Sequence, residues 1–123
     1  MAKACDSTVL DGMLNIVSSA NKLIVCAGQP TTYTQANVTN NLASIAVAGG
    51  DFTLANSGSN RQSTVAAKNA LTVNAAGTGD HIALVNTGTT ILLYVTTIGT
   101  ARAIGLTDTV NTSSWVITVN QPT

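Results

Sequence analysis

The amino-acid sequence predicts a mainly β fold: an antiparallel β-sandwich or barrel of about eight short strands with one N-terminal amphipathic helix. After a single helical segment, apolar and polar residues alternate over short runs, and turn-forming residues separate these runs about every 8–12 residues. Aromatic residues make up only 3% of the chain, so Ala, Val, Ile and Leu must fill the interior. Small β-branched side chains suit sheets better than helical bundles.

The helix is predicted close to the N-terminus. On a helical wheel, six apolar residues share an arc of about 160°: Val9, Leu10, Met13, Leu14, Ile16 and Val17. Asp6 and Ser7 are expected to cap the helix, which should extend to about Ser19 and end before Asn21. We expect this apolar stripe to pack on the protein's own sheet, and the alternative is a helix that binds a partner.

The first strand is predicted directly after the helix. The segment 22–27 is a short continuous apolar run, which is typical of a buried strand, and Gly28-Gln29-Pro30 ends it. From Thr31 onward the chain is expected to be β throughout.

Later strands show a two-residue period, so that each has an inner and an outer face. The inner residues of two such strands are Leu71, Val73 and Ala75, and Trp115, Ile117 and Val119. The turn Asn86-Thr87-Gly88 predicts a hairpin that joins a strand over 81–86 to another over 90–96.

The charge content is the feature that says most about function. Only 8% of the residues are charged, glutamate is absent, and the net charge is zero. A soluble domain normally carries charge on about 25–35% of its surface. The sequence therefore favours a structural or binding protein whose surface is covered by neighbours in an assembly.

The same features argue against several classes of partner and location. The N-terminus lacks the apolar stretch of a secretion signal, so we expect the chain to be made and kept in a cytoplasm. The longest apolar run, Ile91–Val95, is far shorter than the ~20 residues that span a bilayer. Lysine and arginine are scattered singly, so neither nucleic acid nor membrane is an expected partner.

The two cysteines allow one geometric inference. A helix from Ser7 to Ser19 and a returning strand from Asn21 to Cys26 each cover about 20 Å, which would bring Cys26 back beside Cys5. A disulfide between them is therefore a candidate once the protein leaves a reducing compartment. The alternative is that Cys26 is a small buried apolar residue and Cys5 a free thiol.

No catalytic, cofactor or metal site is predicted. His81 is the only histidine, it precedes an apolar strand, and we expect it to be an edge or turn residue that is hydrogen-bonded locally. The aspartates are widely spaced, and helix caps and turns are expected to account for most of them. Cys5, Cys26 and His81 do not match the spacing of a zinc site.

Two blocks of the sequence carry a resemblance to a known group. The first is Asp11–Val17 with the segments 22–27 and 29–36, the last of which contains Pro-Thr-Thr-Tyr-Thr; the second is 81–86 leading to Leu92-Leu93. Together they resemble small tailed-bacteriophage virion proteins of the capsid decoration, or cement, type. The blocks cover roughly a third of the chain, and between Thr39 and Gly79 only the Gly/Ser/Thr-rich composition is similar.

The resemblance implies a virion protein on the capsid surface, made in the host cytoplasm, whose partner is the major capsid protein. Self-association is expected, with trimeric clusters suggested by the symmetry of icosahedral shells and not by any residue. Residues 7–123 are expected to form one β-rich domain, and the N-terminal arm 1–6 is a candidate capsid contact: Met1, Ala2, Lys3, Ala4, Cys5 and Asp6.

Two alternatives remain at this stage. The protein could belong to the phage neck, tail or fibre, since the resemblance is weakly specific for position in the virion. It could also be a module that binds host-surface carbohydrate, which would be equally β-rich and low in charge. Sugar sites usually offer an aromatic platform, however, and we expect Trp115 to lie in the core.

Overall fold

The computed structural model describes residues 6–121 of the chain. Strands account for 53% of the structure, which confirms the prediction of a mainly β fold with an N-terminal helix. Within the described residues the helix α1 spans Ser7–Val17, and nine strands follow: β1 Lys22–Cys26, β2 Asn41–Ala46, β3 Phe52–Ser57, β4 Asn60–Val65, β5 Lys68–Val73, β6 Gly77–Asn86, β7 Ile91–Ile104, β8 Val110–Thr112 and β9 Trp115–Val119.

Helix α1 begins at the predicted cap. The Asp6 side chain accepts a hydrogen bond from the backbone N–H of Thr8 at 2.8 Å, which satisfies one of the free donors of the first turn. The helix ends at Val17, two residues earlier than expected. Ser18 and Ser19 donate their hydroxyls to backbone carbonyls three residues before them, and this local bonding competes with further helical turns.

The larger sheet has six antiparallel strands in the order β7-β6-β1-β2-β5-β8. Strand β1 lies at its centre and is buried on both faces, as the continuous apolar run predicted. Its side chains alternate between two apolar clusters: Leu23 and Val25 face the main core, and Ile24 and Cys26 face the opposite side.

The smaller sheet has three strands in the order β3-β4-β9 and packs with α1 over the inner face of the larger sheet. Val65 of β4 and Ile117 of β9 belong to the main core together with Leu14 of α1. The predicted alternation in β9 is confirmed, because Trp115, Ile117 and Val119 face the core whereas Val116 is exposed.

A π-helical turn, Gln35–Thr39, covers the outer face of the larger sheet. The expectation that the chain is β throughout from Thr31 is therefore wrong. Local hydrogen bonds explain the turn: the Thr32 hydroxyl accepts from the backbone N–H of Gln35 at 3.1 Å, and the Gln35 side chain accepts from Thr31. Ala36 of this turn packs on the second cluster, so that cluster is shielded from solvent.

Strands β6 and β7 form the predicted hairpin. The Asn86 side chain accepts hydrogen bonds from the backbone N–H groups of Gly88 and Thr89, at 2.9 and 3.1 Å, and so organises the turn. The hairpin is longer than predicted, because pairing resumes between Gly77–Gly79 and Arg102–Ile104 beyond a bulge in β7.

Candidate interaction surfaces

Helix α1 carries two apolar stripes, of which only one is covered. Leu10 and Leu14 are 1% exposed and point into the core. We call the other stripe the α1 stripe; it consists of Val9, Met13 and Ile16, which are 57%, 49% and 64% exposed. The prediction that the apolar arc packs on the protein's own sheet is confirmed for the first stripe and wrong for the second.

The two stripes are centred about 100° apart around the helix axis. A helix that lies on a sheet buries only one such sector, so the sheet below cannot reach both. An ion pair holds this orientation: Arg61 of β4 donates from Nε to Oδ1 of Asp11 at 2.7 Å and from Nη2 to Oδ2 at 3.3 Å. On the helical wheel Asp11 lies next to the Leu10 and Leu14 stripe, on the side away from the α1 stripe, so the pair resists a roll of α1 that would bury the α1 stripe.

The size of the α1 stripe sets what it can do. Burying the exposed parts of its three side chains would contribute roughly 3–5 kcal/mol. Bringing two proteins together costs about 4–15 kcal/mol in lost translational and rotational freedom. One α1 stripe is therefore too small to hold a partner alone, but it can contribute one of many contacts in a larger assembly.

Charged residues on the described surface are few, and two of the cations have polar partners. Lys68 lies 2.9 Å from the carboxylate of Asp51, and Lys22 donates to the side-chain oxygen of Asn37 at 2.8 Å. The hydrogen bond from Lys68 is the main cause that lowers the pKa of Asp51. Because charges are few and the net charge is zero, contacts on this surface should depend little on salt.

His81 lies inside the larger sheet and not at an edge, because β1 pairs on one side of β6 and β7 on the other. The predicted local hydrogen bond is present: Nδ1 of His81 lies 2.8 Å from Oδ1 of Asp80. The same carboxylate oxygen accepts from the backbone N–H of Gly28 at 2.7 Å. Both contacts lower the pKa of Asp80, and the contact with His81 is the larger cause.

Most aspartates have the roles predicted for them. Asp6 caps α1, Asp51 accepts from the backbone N–H of Ala48, and Asp108 accepts from that of Gly105. Asp11 differs, because its partner is Arg61 across the core. Among residues 6–121, no three His, Cys or Asp side chains come together in a way that could hold a metal ion.

Cys26 is buried beneath the π-helical turn, with Sγ 3.8 Å from the carbonyl oxygen of Ala36. It has no disulfide partner within the described residues, and burial is the main cause that raises the pKa of its thiol to about 11. Cys5 lies outside the described residues, so the disulfide stays a prediction. The candidate arm 1–6 also falls outside them except for Asp6, the cap of α1.

A groove of about 1030 Å³ opens where the larger sheet curls. Its walls include Thr96–Gly99 of β7 and Thr109–Ser113 around β8. These two strands form opposite edges of the larger sheet, yet they line the same groove. The sheet is therefore a half-barrel whose free ends approach each other. The floor reaches the core at Val25 and Ile82.

Two polar atoms in residues that line this groove are buried and have no hydrogen-bond partner within the described part of the chain: Oγ1 of Thr112 and Nε1 of Trp115. Thr112 is 9% exposed. Trp115 is half-buried and stacks on Tyr94 with ring centroids 5.8 Å apart. It packs on the core as expected, and it also borders the groove.

The described residues contain no helix of the length and apolarity needed to cross a membrane. Compared with protein-family models, curated proteins and solved structures, the chain matches none. The surfaces of the protein itself are therefore the guide to its function.

Proposed function

We propose that this protein is a bacteriophage virion structural protein, a capsid decoration protein that binds the outside of the major capsid shell and stabilises it. In this proposal it acts through binding energy alone, without catalysis or a cofactor. Its expected location is the capsid surface. The observation that carries the proposal is the α1 stripe, an uncovered apolar ridge on a protein with few charged residues.

The energetics of the α1 stripe suit a repeated contact. A contact worth roughly 3–5 kcal/mol before the cost of association is weak for a single pair of molecules. On a symmetric shell the same contact recurs at every equivalent site, and contacts between neighbouring copies add to it. Weak individual contacts can therefore sum to a substantial stabilisation of the shell.

The hydroxyl- and amide-rich surface supports the same proposal. Thr, Ser and Asn can hydrogen-bond to a neighbouring backbone, and they lose less solvation free energy on burial than Lys or Asp would. An interface made from such residues needs no matching pattern of charge on the shell.

The experiment is co-sedimentation of the purified protein with shells of the phage that encodes it. We expect Met13→Lys to reduce binding by about tenfold or more, because a charge would be buried in an apolar contact. Asn15→Lys is the matched control: it adds the same charge to an exposed position on another side of α1, and it should bind like the unaltered protein.

Copy number in purified virions, read from a stained gel, tests the location separately. Hundreds of copies per particle support decoration of the shell. A handful or a few dozen copies would instead place the protein in the neck, tail or fibre.

If Met13→Lys and Asn15→Lys bind shells equally well in the co-sedimentation experiment, the α1 stripe is not part of the contact.

The groove supports a second candidate function, the binding of host-surface carbohydrate. It is concave and bordered by Trp115, and its lining contains neutral hydroxyl and amide groups, which are the groups that recognise sugars. A glycan array followed by titration calorimetry tests it. Binding that is lost in Trp115→Ala but kept in Met13→Lys would favour this function over decoration.

A further inference from the structure

Strand β7 is a long strand at an edge of the larger sheet. It pairs with β6 on one side, and no strand in the described part of the chain pairs with it on the other. Between Ile91 and Thr97, before the bulge at 98–101, the free side therefore presents backbone N–H and C=O groups in a row that a one-residue bulge at Leu93 interrupts. Such a row is a template for another strand.

The composition of β7 is that of an interior strand. Leu92 and Val95 pack on the outer cluster, whereas Leu93 and Tyr94 pack on the main core, so both faces are apolar. These side chains are only half-buried because no strand lies beyond them. A further strand would complete their burial on both faces of the sheet.

Edge strands usually carry a device that prevents pairing, such as a lysine, a proline or a short length. The opposite edge of this sheet follows the rule, since β8 has three residues. Strand β7 has no charged residue and no proline from Ile91 to Ala101. The bulge at Leu93 perturbs the edge locally, and the regular run that follows it, Tyr94–Thr97, carries no charge or proline that would prevent pairing.

A second copy of the chain is the partner that fits this edge. Two β7 strands in antiparallel orientation form a two-fold contact that satisfies both free edges at once. Leu92 and Val95 of each copy then lie on one face beside the same apolar residues of the other. The edge strand β9 of the smaller sheet lies beside β7, because Trp115 of β9 stacks on Tyr94. The contact between two copies can therefore extend over both sheets.

We propose that two copies of this protein associate through antiparallel pairing of their β7 strands, so that the six-stranded sheets join into one continuous sheet. The proposal does not depend on the capsid function, because it rests on the edge of β7 and not on the α1 stripe. It assigns a surface to the expected self-association, with two-fold symmetry in place of the expected three-fold symmetry.

The first measurement is the mass in solution by sedimentation equilibrium over a range of concentrations. We expect a species of twice the 12.4 kDa of one chain at high concentration. The variant Ile91→Lys/Thr97→Lys places a like charge at each end of the free 91–97 segment, and it should weaken the dimer by roughly tenfold or more. The matched control Thr53→Lys/Thr72→Lys adds two lysines at exposed positions of other strands and should dimerise normally.

The second measurement is hydrogen exchange of the unaltered protein, which stays decisive if the charged variant does not fold. Peptides covering 91–97 should exchange more slowly at concentrations where the dimer forms than after dilution, and peptides from α1 should not change. A monomer at every concentration would overturn the proposal. A dimer in which α1 becomes protected from hydrogen exchange would also overturn it. The same holds if the two lysine substitutions in β7 leave the affinity of the dimer unchanged.

Discussion

Asp11 and Arg61, which lie 50 residues apart in the chain, form the ion pair that fastens α1 to the smaller sheet. The side chains are 22% and 17% exposed, so the pair is partly withdrawn from water. The geometry uses two nitrogens of one guanidinium, an arrangement that lysine cannot reproduce. The orientation of the α1 stripe depends on this contact.

We predict that Asp11→Ala lowers the free energy of unfolding by about 1–2 kcal/mol, because it leaves a partly buried guanidinium without its partner. Urea unfolding followed by circular dichroism measures the change. The double variant Asp11→Ala/Arg61→Ala supplies the control. If its loss equals the sum of the two single losses, the pair makes no coupled contribution.

A second prediction concerns Gly79 in β6. A Cβ at this position would lie 2.7 Å from Cγ1 of Val25 and 3.2 Å from Cδ1 of Ile104, both in the packed core. Gly79→Ala should therefore destabilise the protein by about 1–3 kcal/mol through overpacking. Gly50→Ala is the control, since nothing lies within 4 Å of its Cβ. Similar effects of the two changes would show that Gly79 is not tightly packed.

A third prediction follows from the pKa of Cys26, which burial raises from its ordinary value of 9.0 to about 11. Between these two pH values the folded state keeps a proton that the unfolded state has lost, so this thiol makes stability fall as pH rises. Cys26→Ala should show a shallower fall from pH 9 to pH 11 in urea titrations. Identical slopes for the two proteins would contradict the assignment.

The same thiol should react slowly with iodoacetamide at pH 8 in the native protein and rapidly in guanidinium chloride, because the thiolate is the nucleophile. Peptide mapping separates Cys26 from Cys5. If neither cysteine is labelled in denaturant until a reductant is added, the two are joined as the disulfide hypothesis requires.

A fourth prediction concerns Asp80, whose pKa is lowered by its contacts with His81 and the backbone N–H of Gly28. The pKa of Asp80 is lower in the folded state than its value near 3.8 in the unfolded state, so the ionised carboxylate stabilises the fold above pH 3.8. This stabilisation is lost as the pH falls through the pKa of the folded state. Asp80→Asn should thus be less stable than the unaltered protein at pH 6, and the difference should shrink below pH 4. A constant difference across this range would exclude ionisation of Asp80 as its cause.

Much of the fold could be predicted because its signals are local. The cap at Asp6, the hairpin turn at Asn86 and the alternation in β9 each depend on neighbours within a few residues of the chain. The π-helical turn was missed although its signal is local too. Hydroxyl and amide side chains at Thr31, Thr32 and Gln35 organise it, and these residue types are equally common in strands of this protein.

The candidate surfaces were harder to predict because they depend on tertiary placement. A helical wheel identifies an apolar arc but not the sector that a sheet will cover, so Val9 and Met13 could not be separated from Leu10 and Leu14. In the same way, the apolar run in β7 is compatible with an interior strand, and only the strand order shows that it lies at an edge.

All five aspartates of this chain accept hydrogen bonds within the fold. Since the net charge is also zero, little long-range repulsion keeps molecules apart in solution. Crowded copies should attract one another weakly over a wide range of pH and salt, with a second virial coefficient near or below zero, so that a dense ordered layer can form without any change in solvent conditions.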